Sequence, residues 1–180
     1  LTDCNGDKGS YTFRKNENGD KWELVTGNPT GSDDIQVTGG VITHAVGKTG
    51  SGVHVKGTFT MYGGTIAGNR AENGGGVYAV SGGAFVMYGG TIANNTATNG
   101  GVIYSACGGT FNLSGGTISG NTANNGGVVY ATSGGVVNLT GGTITGNKAT
   151  KGDGGVINMA GGTVTISGAK LTGNTSSQYG

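Results

Sequence analysis

Charge is what this 180-residue chain has least of. Lysine, arginine, aspartate and glutamate together make up 11% of it, and the formal net charge is +1. From Gly57 to Asn147 only Arg70 and Glu72 carry charge. A nucleic-acid binder neutralises phosphates with a basic stripe, and none is visible. Proline occurs once, at Pro29, so the 43 glycines do not signal collagen, and no G-X-Y period runs through them. No run of 18 apolar residues exists, so no membrane insertion through a helix is expected. No signal peptide opens the sequence, which reads as a mature chain or as a piece excised from a longer one. The two cysteines, Cys4 and Cys107, read as unrelated thiols. Joining them needs Cα atoms within about 7 Å, hence an N-terminal segment folded far back along the chain.

What is present is order. Hydrophobic residues make 33% of the chain and recur on a fixed spacing, unlike those of a disordered linker. Gly-Gly-Thr-Ile occurs at 63–66, 89–92, 115–118 and 141–144, a step of 26 each time. Asn69, Asn95, Asn121 and Asn147 follow three residues after each Ile. A looser copy holds Leu171 and Asn174, one residue late. Another starts at Gly39-Gly40, with Ile42 in place and Ala45 where the Asn belongs. Such a period marks a solenoid whose outer repeats are degenerate.

Three apolar segments are legible in each period. One is Thr-Ile-x. The second is Val77-Tyr78-Ala79, repeated as Ile103-Tyr104-Ser105 and Val129-Tyr130-Ala131. The third runs Phe59-Thr60-Met61, Phe85-Val86-Met87, Phe111-Asn112-Leu113, Val137-Asn138-Leu139 and Val164-Thr165-Ile166. Its alternation is that of a strand with one buried face, and its β-branched and aromatic residues suit strands. No segment is long enough for a helix. The fold class expected is therefore all-β: a right-handed parallel β-helix of about six 26-residue coils with three short strands each.

The stack makes further expectations concrete. Phe59, Phe85 and Phe111 form an internal ladder, and Ile66, Ile92, Ile118, Ile144 and Leu171 another. Gly pairs turn the corners. The Asn column is expected at a corner as well, where Asn tolerates the left-handed conformation and stacked amides bond along the ladder. Residues 1–38 break the pattern and hold seven of the nine acids. Asn18-Gly19, between Tyr11-Thr12-Phe13 and Trp22-Glu23-Leu24-Val25, reads as a hairpin turn. This segment is assigned as an N-terminal β cap, and 39–180 as the repeats. The C-terminal Ser176-Ser177-Gln178-Tyr179-Gly180 offers no cap, which invites end-to-end self-association through an open edge.

Gly-Gly-Thr-Ile-x-Gly-Asn, combined with Gly-Gly-Gly-Val-Tyr-Ala, resembles bacterial surface β-helix repeats. In the polymorphic outer-membrane adhesins the short motifs are Gly-Gly-Ala-Ile and Phe-x-x-Asn. Gly63-Gly64-Thr65-Ile66 and Ile66-Ala67-Gly68-Asn69 correspond to them, with Thr for Ala and Ile for Phe. The match spans about residues 39–174 and is closer to repeats of large cell-wall-anchored proteins of Gram-positive bacteria. The resemblance implies adhesion or display at a surface, and it carries over no catalytic residue.

Many β-helices degrade polysaccharides, a reaction that needs paired carboxylates or a metal-bound carboxylate cluster. One acid in four coils cannot supply either. Asp33 and Asp34 point to opposite sides if extended, and Asp153 stands beside Lys148 and Lys151 as a solvated loop. His44 and His54 are the only imidazoles and lie one strand apart near the N-terminal end; a metal pair there is the alternative to the expectation of no metal site. Asp3-x-Asn5-x-Asp7 starts like a calcium loop, but Lys8 and Arg14 stand where its Gly and Glu belong. The expectation is a chain that is not an enzyme, with no cofactor and no metal.

Two outward columns are the candidate binding surfaces. Tyr78, Tyr104 and Tyr130, with Tyr62 and Tyr88 on the next strand, form either a platform for sugar rings or a stack that stabilises coil pairing. Thr65, Thr91, Thr117 and Thr143 form the other, with Ala67, Ala93, Ser119 and Thr145 two residues on. Flat Thr-x-Thr arrays bind ice in some antifreeze proteins, though here the second column is Thr only once. In a eukaryotic secreted protein Asn94, Asn112, Asn138 and Asn174 would be glycosylation sequons. The function expected is a non-catalytic structural or adhesive module, extracellular or on a bacterial cell surface, with host glycans or surface proteins as partners. Ice binding and polysaccharide degradation are the alternatives.

Overall fold

A computed structural model describes residues 12–15, 22–25, 35–43, 47, 49–79 and 82–179. All its regular structure is β-strand. Among the described residues no helix is long and apolar enough to cross a membrane. Four parallel sheets run along the stack, two of six strands and two of five. The parallel β-helix expected from the 26-residue period is what folds, and it is consistent with a right-handed turn.

Going round a coil, the first sheet is the Phe face. Its strands are Ile35–Val37, Thr58–Met61, Ala84–Met87, Thr110–Leu113, Gly135–Leu139 and Gly162–Ile166. The Ile face follows, with Thr65–Ala67, Thr91–Ala93, Thr117–Ser119 and Thr143–Thr145 at its centre. Next comes the Ala face, Arg70–Asn73, Thr96–Asn99, Thr122–Asn125, Lys148–Ala149 and Thr175–Ser176. The Val–Tyr face closes the coil, with Val53–Val55, Val77–Ala79, Ile103–Ser105, Val129–Ala131 and Ile157–Met159.

The coil therefore has four strands where the sequence reading counted three. The missed strand is the Ala face. Its inward residues are small, Ala97, Ala123 and Ala149, and its outward ones are Thr, Asn or charged, so no bulky apolar alternation marks it. The stack itself begins at Ile35–Val37, whose strand pairs with Thr58–Met61. Ahead of it, Thr12–Lys15 pairs antiparallel with Trp22–Val25, Phe13 opposite Leu24, so the hairpin read from the sequence forms. The Asn18-Gly19 turn itself lies outside the described residues.

Inside the coils the ladders are in strict register. Phe59 and Phe85 stack with ring centroids 5.2 Å apart, and Phe85 and Phe111 at 5.3 Å. All three are fully buried, as are Ile66, Ile92, Ile118 and Ile144. Each such side chain contributes about 1.5–3 kcal/mol through burial. Gly90 shows why the corner glycines are needed. Its φ is +90°, and a Cβ there would lie 2.7 Å from the Gly64 carbonyl oxygen of the preceding coil.

The Asn column is buried at the corner after the Ile face. Asn69 donates from Nδ2 to Asn95 Oδ1 at 2.9 Å, Asn95 to Asn121 at 3.0 Å, Asn121 to Asn147 at 2.9 Å, and Asn147 to Asn174 at 2.9 Å. The second amide hydrogen goes to an Ile carbonyl, as from Asn121 to Ile92. The amide ladder expected here is present, but its backbone differs from expectation. The left-handed residue is the one before: Gly68, Gly120, Gly146 and, uniquely among described non-glycines, Asn94 at φ 56°. The ladder Asn is instead selected by its side chain, which must both donate and accept. Asn69 Oδ1, at the start, has no partner. The position one coil earlier is Ala45, outside the described residues.

Candidate functional site

The Val–Tyr face carries one outward residue per strand, because its three-residue strands bury the flanking positions. In register these residues are His54, Tyr78, Tyr104, Tyr130 and Asn158. Each of the three tyrosines is half-buried. His54 stacks on Tyr78 at 4.9 Å, and Tyr104 on Tyr130 at 5.6 Å with a 12° tilt. Tyr78 meets Tyr104 edge-on at 5.3 Å and 71°. The ring faces are thus largely spent on one another, and the column offers ring edges and hydroxyls outward. Burial, with the neighbouring Tyr78, Tyr130 and Cys107, raises the Tyr104 pKa. Burial and then Lys56 lower that of His54, whose Nε2 is buried without a partner.

Tyr62 and Tyr88 do not join that column. They stand at the corner between the Phe and Ile faces, one residue past Met61 and Met87, a full strand away from the Val–Tyr face. There they stack with a 10° tilt at 5.2 Å, and they are 49% and 53% exposed. Their exposure follows from the alternation of the Phe strand, in which Phe59 and Met61 or Phe85 and Met87 point inward and the next residue points out.

Thr65, Thr91, Thr117 and Thr143 line up across the Ile face in register, all half-buried, and Lys170 ends the column. Beside them run Ala67, Ala93, Ser119, Thr145 and Thr172. Thr172 donates to Thr145 Oγ1 at 3.2 Å.

Two further amide pairings escaped the sequence reading. Asn99 donates to Asn73 and Asn125 to Asn99, both at 2.9 Å, at the end of the Ala face. On the outer side of the Phe face Asn138 donates to Asn112 at 2.8 Å. Recurrence of Asn at a 26-residue step is the signal that could have found both.

No family model, curated protein or solved structure matches the chain. Its chemistry is therefore read from these columns alone. Among the described residues no three His, Cys, Asp or Glu side chains are grouped as metal ligands would be. Cys107 is a free thiol on an exposed corner. Cys4, His44, the Asp3–Asp7 segment and Asp33-Asp34 lie outside the described residues.

Proposed function

We propose that this chain is a non-catalytic structural and adhesive module of a secreted or cell-surface protein. One observation carries the reading: in-register ladders run without interruption through the central coils, and outside them lie only shallow, uncharged columns. Stacked Phe, Ile and Asn ladders make each coil a template for the next, so the solenoid is stiff along its axis. That suits a stalk or display surface. The absence of any charged residue between Glu72 and Lys148 leaves the central coils without paired carboxylates for glycan hydrolysis. It leaves them suited to neutral partners, host glycans or protein surfaces. The resemblance to bacterial surface repeats points the same way.

The test is binding of labelled protein to a glycan and mucin array, with Tyr104→Ala alongside. Saturable binding to any spot supports an adhesin, and loss in the variant assigns it to the Val–Tyr column. Silence across the array removes the glycan reading and leaves a spacer. Ice binding is a second reading, favoured by the register of Thr65, Thr91, Thr117 and Thr143 on one flat face. Thermal hysteresis abolished by Thr117→Tyr supports it, and growth of unshaped ice crystals from the wild-type solution rejects it.

A further inference from the structure

We infer that the Tyr62–Tyr88 stack ends in a binding step for one neutral pyranose ring, with Tyr88 as its floor and Ser114, Asn112 and Asn138 at its rim. The inference rests on the glycan-binding reading above and gives it a location.

Position by position along the stack, this corner holds Thr38, Tyr62, Tyr88, Ser114, Thr140 and Ser167. The equivalence is fixed by the ladder: Tyr88, Ser114 and Thr140 each donate their backbone N–H to the carbonyl of Met61, Met87 and Leu113 in turn. Coils repeat about every 4.8 Å, and the two Tyr rings lie 5.2 Å apart and nearly parallel. The two rings therefore meet face to face between successive coils. One face of Tyr88 is covered by Tyr62. The other looks toward the level of Ser114, whose side chain is too short to cover it. A flat ring of aromatic size is accommodated there, outside Ser114 and stacked on Tyr88, continuing the ladder with a ligand in place of a side chain.

The rim supplies polar groups of both kinds. Thr140 Oγ1 donates to the Leu113 carbonyl at 3.2 Å and lies 3.2 Å from Ser114 Oγ. Ser114 is then the donor between the two hydroxyls, and its own oxygen stays free to accept. Asn112 and Asn138 sit two residues before Ser114 and Thr140, on the same outward side. Their mutual bond runs from Asn138 Nδ2 to Asn112 Oδ1. It leaves the Asn112 amide hydrogens and Asn138 Oδ1 with no further hydrogen bond among the described residues.

An apolar face bordered by donors and acceptors is the complement of a pyranose, which has C–H groups on one face and hydroxyls round its edge. Tyr supplies the matching apolar surface with a polar tip. A nucleobase would stack equally well, but its phosphates would find no cation between Arg70 and Lys148. An acidic sugar meets the same lack. The site is shallow, so a single ring binds on the order of millimolar, and useful avidity comes from repeated display.

The experiment is a titration followed by the NMR signals of the Tyr rings and the Asn side-chain amides. The probes are methyl β-glucopyranoside, methyl β-galactopyranoside and cellotetraose, with heparin and oligo-dT as charged comparisons. Saturable shifts with a neutral probe are expected. Affinity should fall at least tenfold in Tyr88→Ala and stay at the wild-type value in Thr98→Ala on the Ala face. Ser114→Tyr extends the aromatic ladder by one ring, covers Tyr88 and moves the free ring face to the level of Thr140. In that variant the Tyr88 ring signals should stop responding to glycoside and those of the introduced ring should respond instead. A thermal melt at or above the wild-type midpoint checks its fold. Tyr88 signals that still respond in folded Ser114→Tyr, or undiminished glycoside binding by folded Tyr88→Ala, overturn the location and leave the adhesive reading standing. Binding of heparin or oligo-dT alone overturns the neutral-ligand assignment. No binding of any glycan, by array or by titration, overturns both this site and the glycan reading.

Discussion

Asn121 illustrates what one side chain does in this fold. Its Oδ1 accepts both the backbone N–H and the amide of Asn95, at 2.9 and 3.0 Å. Its Nδ2 donates to the Ile92 carbonyl and to Asn147 Oδ1. It is fully buried, so none of these groups has water as a substitute. Asn121→Ala removes the acceptor for two donors and the donor for two acceptors. Each buried group left without a partner costs about 1–3 kcal/mol, and the expected loss of stability is on the order of 4 kcal/mol. Guanidinium denaturation measures it, and a loss below about 1 kcal/mol would show that the amide column holds little of the fold. This residue was legible in the sequence because Asn recurs at a step of 26 from Asn69 to Asn147. Its conformation was not, because Asn tolerates left-handed backbone and Gly precedes it, and spacing does not say which of two neighbours turns the chain.

At the level of the element, the Ala face was invisible for a physical reason. A strand announces itself by alternating large apolar and polar side chains. In Thr96–Asn99 and Thr122–Asn125 the inward residue is only Ala97 or Ala123, buried to 7% and 1% exposure. Missing this face did not touch the corner between the Phe and Ile faces, so Tyr62 and Tyr88 remain where the alternation of the Phe strand puts them, one residue past the inward Met61 and Met87. The segments read from the sequence on the Phe, Ile and Val–Tyr faces all form strands, the Ile strand ending before the Gly/Asn-Asn that the reading joined to it. The small inward residue makes a sharp prediction. Ala123→Leu inserts three carbons into a closed interior and should cost about 1–3 kcal/mol through overpacking. Thr98→Val, on the outward side of the same face, should stay within about 0.5 kcal/mol of wild type. Thermal unfolding of the two variants compares them directly. An Ala123→Leu melt equal to wild type would mean that the coil is not closed against the Ala face.

For the whole molecule, the last coil differs from the central ones. In the central coils every inward residue of the Phe face is buried, yet Val164 and Ile166, at the same ladder positions in the last coil, are 44% and 53% exposed. Among the described residues Gly162–Ile166, Lys170–Thr172, Thr175–Ser176 and Ile157–Met159 each pair on one side only. Open strand edges beside apolar side chains favour association, and a second copy offers the same edges in a closed two-fold arrangement. Lys148, Lys151 and Lys170 surround this end and are exposed, with Asp153 the one acid among them. Two copies meeting edge to edge bring six lysines together. Attraction is then apolar and hydrogen-bonded, while the charges oppose it and are screened by salt over about 8 Å at physiological ionic strength. Sedimentation velocity should therefore show a monomer–dimer equilibrium that shifts toward dimer as salt rises, the reverse of an ion-paired interface. Ile166→Lys should abolish it, and Lys170→Gln should strengthen it at low salt. A dimer that dissociates with added salt, or a chain that stays monomeric in Lys170→Gln at high concentration, would reject pairing through this edge.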